Sequence, residues 1–274
     1  MSKLFVVGTP IGNLGDFSPR AVETLENVDF IAAEDTRVTL KLLNHFGIKK
    51  SMVSYFEHNK RERGEMIAER ILGGESCALV TDAGMPAISD PGEDLVRLCY
   101  DKGIMVESVP GPCAFTTALA LSGFPSGRFT FEGFLSVNKP SRREHLQSLE
   151  KETRTMLFYE APHKLGATLR DMNKVFGNRE IAIVREITKL HEEVIRTTLD
   201  EAVEKYADGS VKGEIVLVIK GSEKSDDEES MTLEQAVSCA KQRVENGMSP
   251  SEAAKQAAKL SGYKKGDIYK ALID

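Results

Sequence analysis

The chain has no C-x-x-C pair: Cys77, Cys99, Cys113 and Cys239 are scattered, three of them in apolar runs. That excludes a disulfide framework and gives zinc no ligand spacing, so the cysteines are expected to be reduced core residues and no metal is expected. No apolar run approaches the roughly 20 residues a membrane span needs, so no membrane association is expected. Positive charge is not in excess. The net charge is −6, which excludes a globally basic nucleic-acid binder but leaves room for a local basic patch. There is no Walker lysine, no Ser-His-Asp order and no H-E-x-x-H at usable spacing, so phosphoryl transfer, acyl transfer and zinc hydrolysis lose support. No short internal repeat is visible. The apolar run at Leu4–Val7 is expected to open the fold directly, with no signal segment, in a cytoplasmic protein.

What is present is an α/β alternation long enough for two domains in 274 residues. Short apolar runs at 4–7, 30–33, 52–56, 77–80 and 104–109 read as strands of a parallel or mixed sheet, 77–80 as a buried parallel strand, each followed by a helical pattern. Ser18 with Pro19 marks one helix start. The helix 114–122 is built of small and apolar residues, fit for close packing on a sheet or a ligand. Phe124-Pro125-Ser126-Gly127 reads as a boundary. Strands are then expected at 129–134, 155–159, 180–184, 193–197 and 214–219, with helices at 139–152, 165–176 and 199–206. Residues 222–231 form an acidic linker without a hydrophobe before Met231, expected to be mobile. Residues 232–274 read as three short helices resembling a helix-turn-helix. Thr232 with Gln235 is a capping box, Ser249 starts the second helix, and Asp267 is expected to cap the last. The expected domains are therefore 1–123 and 124–221, both α/β, the linker 222–231, and a helical tail module 232–274.

Four loops that follow strands carry far more punctuation than connections need: Gly8–Asp16, Thr81–Gly92, Pro110–Ala114 and Glu160–His163. The second has two Gly, two Pro and two Asp in twelve residues. Glycine lets backbone approach a ligand, proline stiffens the path, and aspartate accepts from an amino group or hydroxyl. In open α/β sheets such loops converge where ligands bind. The first loop is not G-x-G-x-x-G, because Pro10 occupies its centre, so a dinucleotide fold is not expected.

Six ordered motifs then carry a resemblance over residues 3–221. They are Gly8-Thr9-Pro10-Ile11-Gly12-Asn13-Leu14, Ala33-Glu34-Asp35-Thr36-Arg37, the stretch Thr81–Gly92, Pro110-Gly111-Pro112, Tyr159-Glu160-Ala161-Pro162-His163, and Arg185 to Glu193. Together they resemble the tetrapyrrole-methylase superfamily, and within it the branch of 16S rRNA ribose 2′-O-methyltransferases. The resemblance implies two α/β domains with S-adenosylmethionine in the cleft between them. It also implies a homodimer, and a cytidine ribose of 16S rRNA in the small ribosomal subunit as substrate. By matching, it implies cofactor contacts at Pro10, Ile11, Asp82, Ala83, Gly84, Ala87, Cys113, Ala114, Glu160, Ile187, Glu214 and Ile215. Asp82-Ala83-Gly84 stands where porphyrin-type relatives have Gly-Gly-Asp, and Glu160 where they often have Met. Small residues and loop backbone suit an adenine; Asp82 or Glu160 suits the positive charges of the cofactor.

A ribose hydroxyl is a poor nucleophile, so a base or an alkoxide-stabilising cation is expected, and Glu160, His163, Glu186 and Lys189 are the candidates. Each has a plain structural or RNA-positioning role as its alternative. Lys60, Arg61, Arg63, Arg142 and Arg143 are expected to hold rRNA phosphates, with a solvated helix face as the alternative. The mildly basic tail, with Lys264 and Lys265, is expected to contact RNA; a dimer or packing module is its alternative. Methylation of a tetrapyrrole or other small precursor is the competing activity. A non-catalytic RNA-binding module is the competing class.

Overall fold

The computed structural model describes residues 2–207, 211–223 and 231–273. The chain forms two compact units, Met1–Gly221 and Ser222–Asp274. The first, the body, contains two five-stranded sheets.

The first sheet is built from β1 (Leu4–Val7), β2 (Phe30–Ala33), β3 (Ser51–Ser54), β4 (Cys77–Val80) and β5 (Val106–Val109), in the order β3-β2-β4-β1-β5. All four pairings are parallel. Every residue of β2 and β4 is buried, as two-sided cover requires. One face packs on α3 (Lys60–Leu72) and α4 (Glu93–Asp101) through Ile67, Ala68, Ile71, Leu95 and Cys99. The other packs on α1 (Pro19–Asn27) and α2 (Thr36–His45) through Ala21, Leu25 and Leu43. The Ser18 side chain accepts from the Ala21 N–H, and the Asp35 side chain from that of Arg37, fixing where α1 and α2 begin. Strand β5 starts at Val106, two residues later than its apolar run, because Ile104 instead joins the core below α4.

The helix α5 (Ala114–Ser122) leaves β5 but packs elsewhere. Ala118 and Leu119 join Leu157, Ala182, Val184, Val216 and Val218 of the second sheet in one buried cluster, with Ile11 of the first loop. The small residues of α5 let it lie close to that sheet and lock the two sheets into one body.

The second sheet comprises β6 (Phe129–Phe134), β7 (Thr155–Glu160), β8 (Glu180–Arg185), β9 (Glu193–Thr198) and β10 (Ile215–Ile219), ordered β6-β7-β10-β8-β9. Only β6 and β7 are parallel; the other pairings are antiparallel. Alternation divides its strands. Met156, Phe158, Ile181, Ile183, Leu217 and Ile219 face α6 (Lys139–Ser148), α7 (Leu165–Phe176) and α8 (Leu199–Lys205), while their neighbours in sequence face α5. The predicted helix to Glu152 stops at Ser148 and continues as turns, with the Glu152 carboxylate accepting from the Arg154 N–H. Cys77 and Cys99 are buried, and all four cysteines are free thiols.

The second unit folds around its own small core of Ala236, Val237, Ala240, Ala253, Ala254, Ala257 and Ile268. These come from α9 (Leu233–Glu245), α10 (Pro250–Ser261) and α11 (Lys265–Ile273). The Thr232–Gln235 capping box forms, Ser249 caps α10, and Gly262 ends it at φ 75°. Asp267 is not the cap of α11: it lies inside the first turn, because the helix begins at Lys265. The linker reading falls on residues 224–230, which lie outside the described residues. No helix among the described residues is long and apolar enough to cross a membrane.

Candidate functional site

The loops after β1, β4 and β5 are tied into one framework. The Gly8 N–H donates to the Val109 carbonyl at 3.0 Å. Thr9 and Gly84 exchange backbone hydrogen bonds at 2.9 and 3.1 Å, and the Thr9 hydroxyl donates to the Thr81 carbonyl. Gly84 sits at φ 88°, a conformation glycine adopts without cost. At the ends of β2 and β4 two acids interlock. The Asp82 N–H donates to Glu34 Oε2 at 3.3 Å, and the Asp35 N–H to Asp82 Oδ1 at 3.2 Å.

A cavity of about 400 Å³ opens beside this framework, within the usual range for small-molecule sites. All four punctuated loops contribute: Ile11 from the first, Asp82 to Met85 and Ile88 to Asp90 from the second, Cys113 and Ala114 from the third, Glu160 to Pro162 from the fourth. Phe134, Tyr159, Ile187 and Gly213 to Val216 close it from the second sheet. The lining holds five carboxylates, Glu34, Asp82, Asp90, Glu160 and Glu214, and no lysine or arginine.

Burial governs the electrostatics. Desolvation raises the pKa of Glu34 and of Asp82, in each case aided by neighbouring acids. Asp90 is pushed up to about 7, first by burial and then by the charges of Glu34 and Asp82. Asp35 behaves oppositely. Hydrogen bonds from the Arg37 side chain, and from its N–H, hold its carboxyl at about 2. Negative charge is thus paired at Asp35, just outside the cavity, and at Glu214 on its rim by Lys189, while Glu34, Asp82 and Asp90 make no ion pair with a described residue. Among the described residues, no group of His, Cys, Asp and Glu is arranged to hold a metal ion.

The model of the tetrapyrrole (corrin/porphyrin) methylases matches residues 3–203. This chain belongs to that family. It is 45% identical over 268 residues to the ribosomal RNA small subunit methyltransferase I of Halalkalibacterium halodurans, covering 97% of this chain and 93% of that one. It is 49% identical over 223 residues to the protein of the same name from Thermotoga maritima, covering 81% of this chain and all of the relative. Among solved structures, it resembles uroporphyrin-III C-methyl transferase from Thermus thermophilus complexed with S-adenyl homocysteine. There the TM-score is 0.55 at 17% identity, over 80% of this chain and 97% of the other, a likeness of fold.

Within this methylase fold, ten of the twelve expected cofactor residues line the cavity; Pro10 and Ala87 do not. Ala87 stands at φ 68° within the loop after β4, where a Cβ on Gly92 would meet its backbone nitrogen and Cβ. Three of the four expected catalytic candidates are held by neighbours. Glu160 is 5% exposed, and its carboxylate accepts from the Thr168 hydroxyl and the Ala161 N–H. Glu186, itself at φ 51°, accepts from the Glu214 N–H and from Lys189 at 2.9 Å. The Glu214 N–H, with Lys189 second, lowers the Glu186 pKa. Burial opposes the Lys189 charge, but Glu186 and Glu214 outweigh it and raise its pKa. The Lys189 stem lies over Gly12, so this trio braces the first loop. His163 is exposed on a short 3₁₀ turn and is not in the lining.

The expected RNA contacts divide similarly. Lys60 is held by Glu57 and Asp94 at 2.7 and 2.9 Å. Arg142, 13% exposed, is bonded to the buried Asp171, and Arg143 lies 3.7 Å from the same acid. Arg61, Arg63, Lys264 and Lys265 are exposed. Sequence reasoning missed Glu34, Met85, Ile88, Ser89, Asp90, Phe134 and Tyr159 as lining. The available signal was position: Glu34 directly follows a buried strand, and Asp90 lies in the most punctuated loop.

Proposed function

We propose that the body is an S-adenosylmethionine-dependent methyltransferase that modifies the 2′-oxygen of a cytidine ribose in 16S rRNA. One observation carries the cofactor: five carboxylates and no cationic side chain line a single, largely apolar cavity. Buried like charges are costly unless a cation joins them. S-adenosylmethionine brings an ammonium and a sulfonium together with an adenine, so the donor set and the apolar walls both fit it. When bound, it supplies a methyl group already activated by positive sulfur. The chain supplies the rest. Glu34 and Asp82, fixed by the backbone N–H groups of Asp82 and Asp35 respectively, hold positive charge. Ile11, Ile187, Ile215 and Val216 exclude water, and the Lys189 brace keeps the first loop in place. Positioning of this kind supplies much of the acceleration in a transfer between two bound partners.

The names of the curated relatives, at 43–49% identity, support ribosomal RNA of the small subunit as substrate. This reading places the protein in the cytoplasm with its substrate, and includes the homodimer, which sedimentation of the full chain measures. The test is mass mapping of ribose methylation in 16S rRNA from cells with and without this gene. One cytidine losing its 2′-O-methyl group is the expected result; an unchanged map sinks the substrate.

The Glu34→Gln and Asp82→Asn double variant should weaken S-adenosylmethionine at least about tenfold, roughly 1.4 kcal/mol. Unchanged affinity by calorimetry would mean that these acids do not face its charge. Removing residues 222–274 should leave cofactor binding intact, since the Thermotoga relative is spanned end to end by 223 aligned residues, about the size of the body. The exposed lysines of the tail should then appear in RNA affinity, as a salt slope shallower by roughly 0.7–0.9 for each phosphate that the tail no longer neutralises. An identical slope with and without the tail would make it a packing module.

A further inference from the structure

Strand β6 carries a bulge. It pairs with β7 in parallel as far as Phe131 opposite Leu157, then skips Glu132, so that Gly133 stands opposite Phe158 and Phe134 opposite Tyr159. Opposed residues of paired strands share a face, and faces alternate along each strand. Without the extra residue, Phe134 would fall on the face of Met156 and Phe158, toward α7. With it, Phe134 joins Phe131, Leu157 and Tyr159 on the face toward α5 and the cavity. Gly133 makes the step at φ 63°, a backbone that glycine adopts without strain, beside Ser89 of the loop after β4. Bulges are rare in parallel pairs, and next to active sites they re-aim a side chain.

The ring that the bulge brings round rests on Tyr159, centroids 5.3 Å apart, and Tyr159 in turn meets Phe131 at 5.0 Å. Phe134 is nevertheless 59% exposed, more than any other large apolar side chain of the lining. The apolar walls deeper in, Ile11, Ile187, Ile215 and Val216, are buried. A supported aromatic ring at the mouth of a cavity is a stacking surface. Lys139, exposed on the first turn of α6, makes no ion pair with a described residue and offers a cation to a phosphate. We propose that Phe134 is the platform on which the base of the nucleotide to be methylated stacks, a role that rests on the reading of the body as a ribose methyltransferase. A base in folded RNA is stacked on its neighbours, and bringing its ribose into a cavity costs that stacking. Phe134 replaces it. Every base has a π-face, so the ring places the nucleotide without choosing among sequences.

The experiment compares wild type with Phe134→Ala, Phe134→Leu and Phe134→Trp, using small ribosomal subunits that lack the modification and S-adenosylmethionine at saturation. Loss of a stacked base predicts kcat/KM for subunits lower by about 5- to 150-fold in Phe134→Ala. Most of the loss should fall in KM, because stacking holds the nucleotide equally before and during transfer. Phe134→Leu keeps apolar bulk but no flat face, and should lose nearly as much. Phe134→Trp should keep the wild-type rate, and it introduces the only tryptophan of the chain. Its emission, after subtraction of that of the subunits, should be quenched when they are added and not when the cofactor alone is added. Calorimetry should give cofactor affinities within about threefold of wild type for all three variants.

A side chain this exposed carries little of the core, so the variants should melt within about 2 °C of wild type. Phe134→Ala with the wild-type kcat/KM, or Phe134→Leu with full activity, overturns the assignment. So does emission that subunits leave unchanged in a Phe134→Trp protein that still methylates them. Cofactor affinity that falls by the same factor as kcat/KM would make the ring a platform for the adenine, and overturns the assignment too. A Phe134→Ala protein that sediments at a lower mass than wild type does the same, by placing the ring in a subunit interface. Wild-type protein that binds the cofactor but methylates no RNA overturns the proposed function itself, and the role of Phe134 with it.

Discussion

Gly111→Ala should lower the melting temperature of the protein by roughly 5–10 °C and abolish cofactor binding. A methyl group on Gly111 would lie 2.8–2.9 Å from Cα, C and O of Gly8, and one on Gly8 would lie 2.6–2.7 Å from Cα and N of Gly111. These are backbone atoms at the ends of neighbouring parallel strands, joined by the Gly8–Val109 hydrogen bond, and no rotamer change relieves them. Overpacking typically costs about 1–3 kcal/mol, and a domain of this size loses roughly 2–4 °C per kcal/mol. The functional effect should be larger than the stability effect. Separating the two strand ends displaces Ile11 on one loop and Cys113 and Ala114 on the other, all of which line the cavity. Gly127→Ala is the control: no atom lies within 4 Å of its added Cβ, and its φ is not positive, so melting should change little. Thermal melts and calorimetric titration of both variants decide it. A Gly111→Ala protein that melts and binds like wild type would show that the strands part without consequence.

The same pair of glycines shows why so much of the site was legible. Close backbone approach demands glycine, and cavity loops demand many turns, so the chemistry of the site is written as punctuation in four strand-following loops. The parallel sheet was legible for a related reason: strands covered on both faces read as unbroken apolar runs. The antiparallel order of β7, β10, β8 and β9 was not, since a buried run carries no direction. Nor was the destination of α5. Its small residues promise close packing, but only the fold shows that the partner is the second sheet. Asp90 was read only as one of two acceptors in its loop, because Asp-Pro-Gly also reads as an ordinary turn. Its significance depends on Glu34, 56 positions earlier, reaching the same cavity. Glu186 and Lys189 were singled out as reactive by residue type. In the structure each satisfies the other, which makes them a brace.

Arg142 illustrates the limit most sharply, and Asp171→Ala should expose it with the largest loss of stability among these variants. In the sequence, Arg142-Arg143 on a charged helix reads as a phosphate grip. In the fold, Nε and Nη2 of Arg142 both donate to Asp171 Oδ2, at 2.9 and 2.7 Å, across the contact of α6 with α7. The side chains are 13% and 7% exposed, so water screens the pair poorly. Removing the acid alone leaves a guanidinium in that setting with only the Ser136 carbonyl, at 3.4 Å, as a weak acceptor. Breaking a buried pair on one side costs about 3–5 kcal/mol, so a fall of roughly 6–20 °C in melting temperature is expected. Replacing both partners by apolar residues, Arg142→Met with Asp171→Leu, should recover most of that fall, because it removes the stranded charge along with the bond. Melting curves of the single and double variants, with RNA-binding titrations of the double, separate the two readings. If the double variant is as stable as wild type and binds RNA equally well, Arg142 is a structural residue. If it is stable but loses affinity with a shallower salt dependence, the arginine reaches RNA as well.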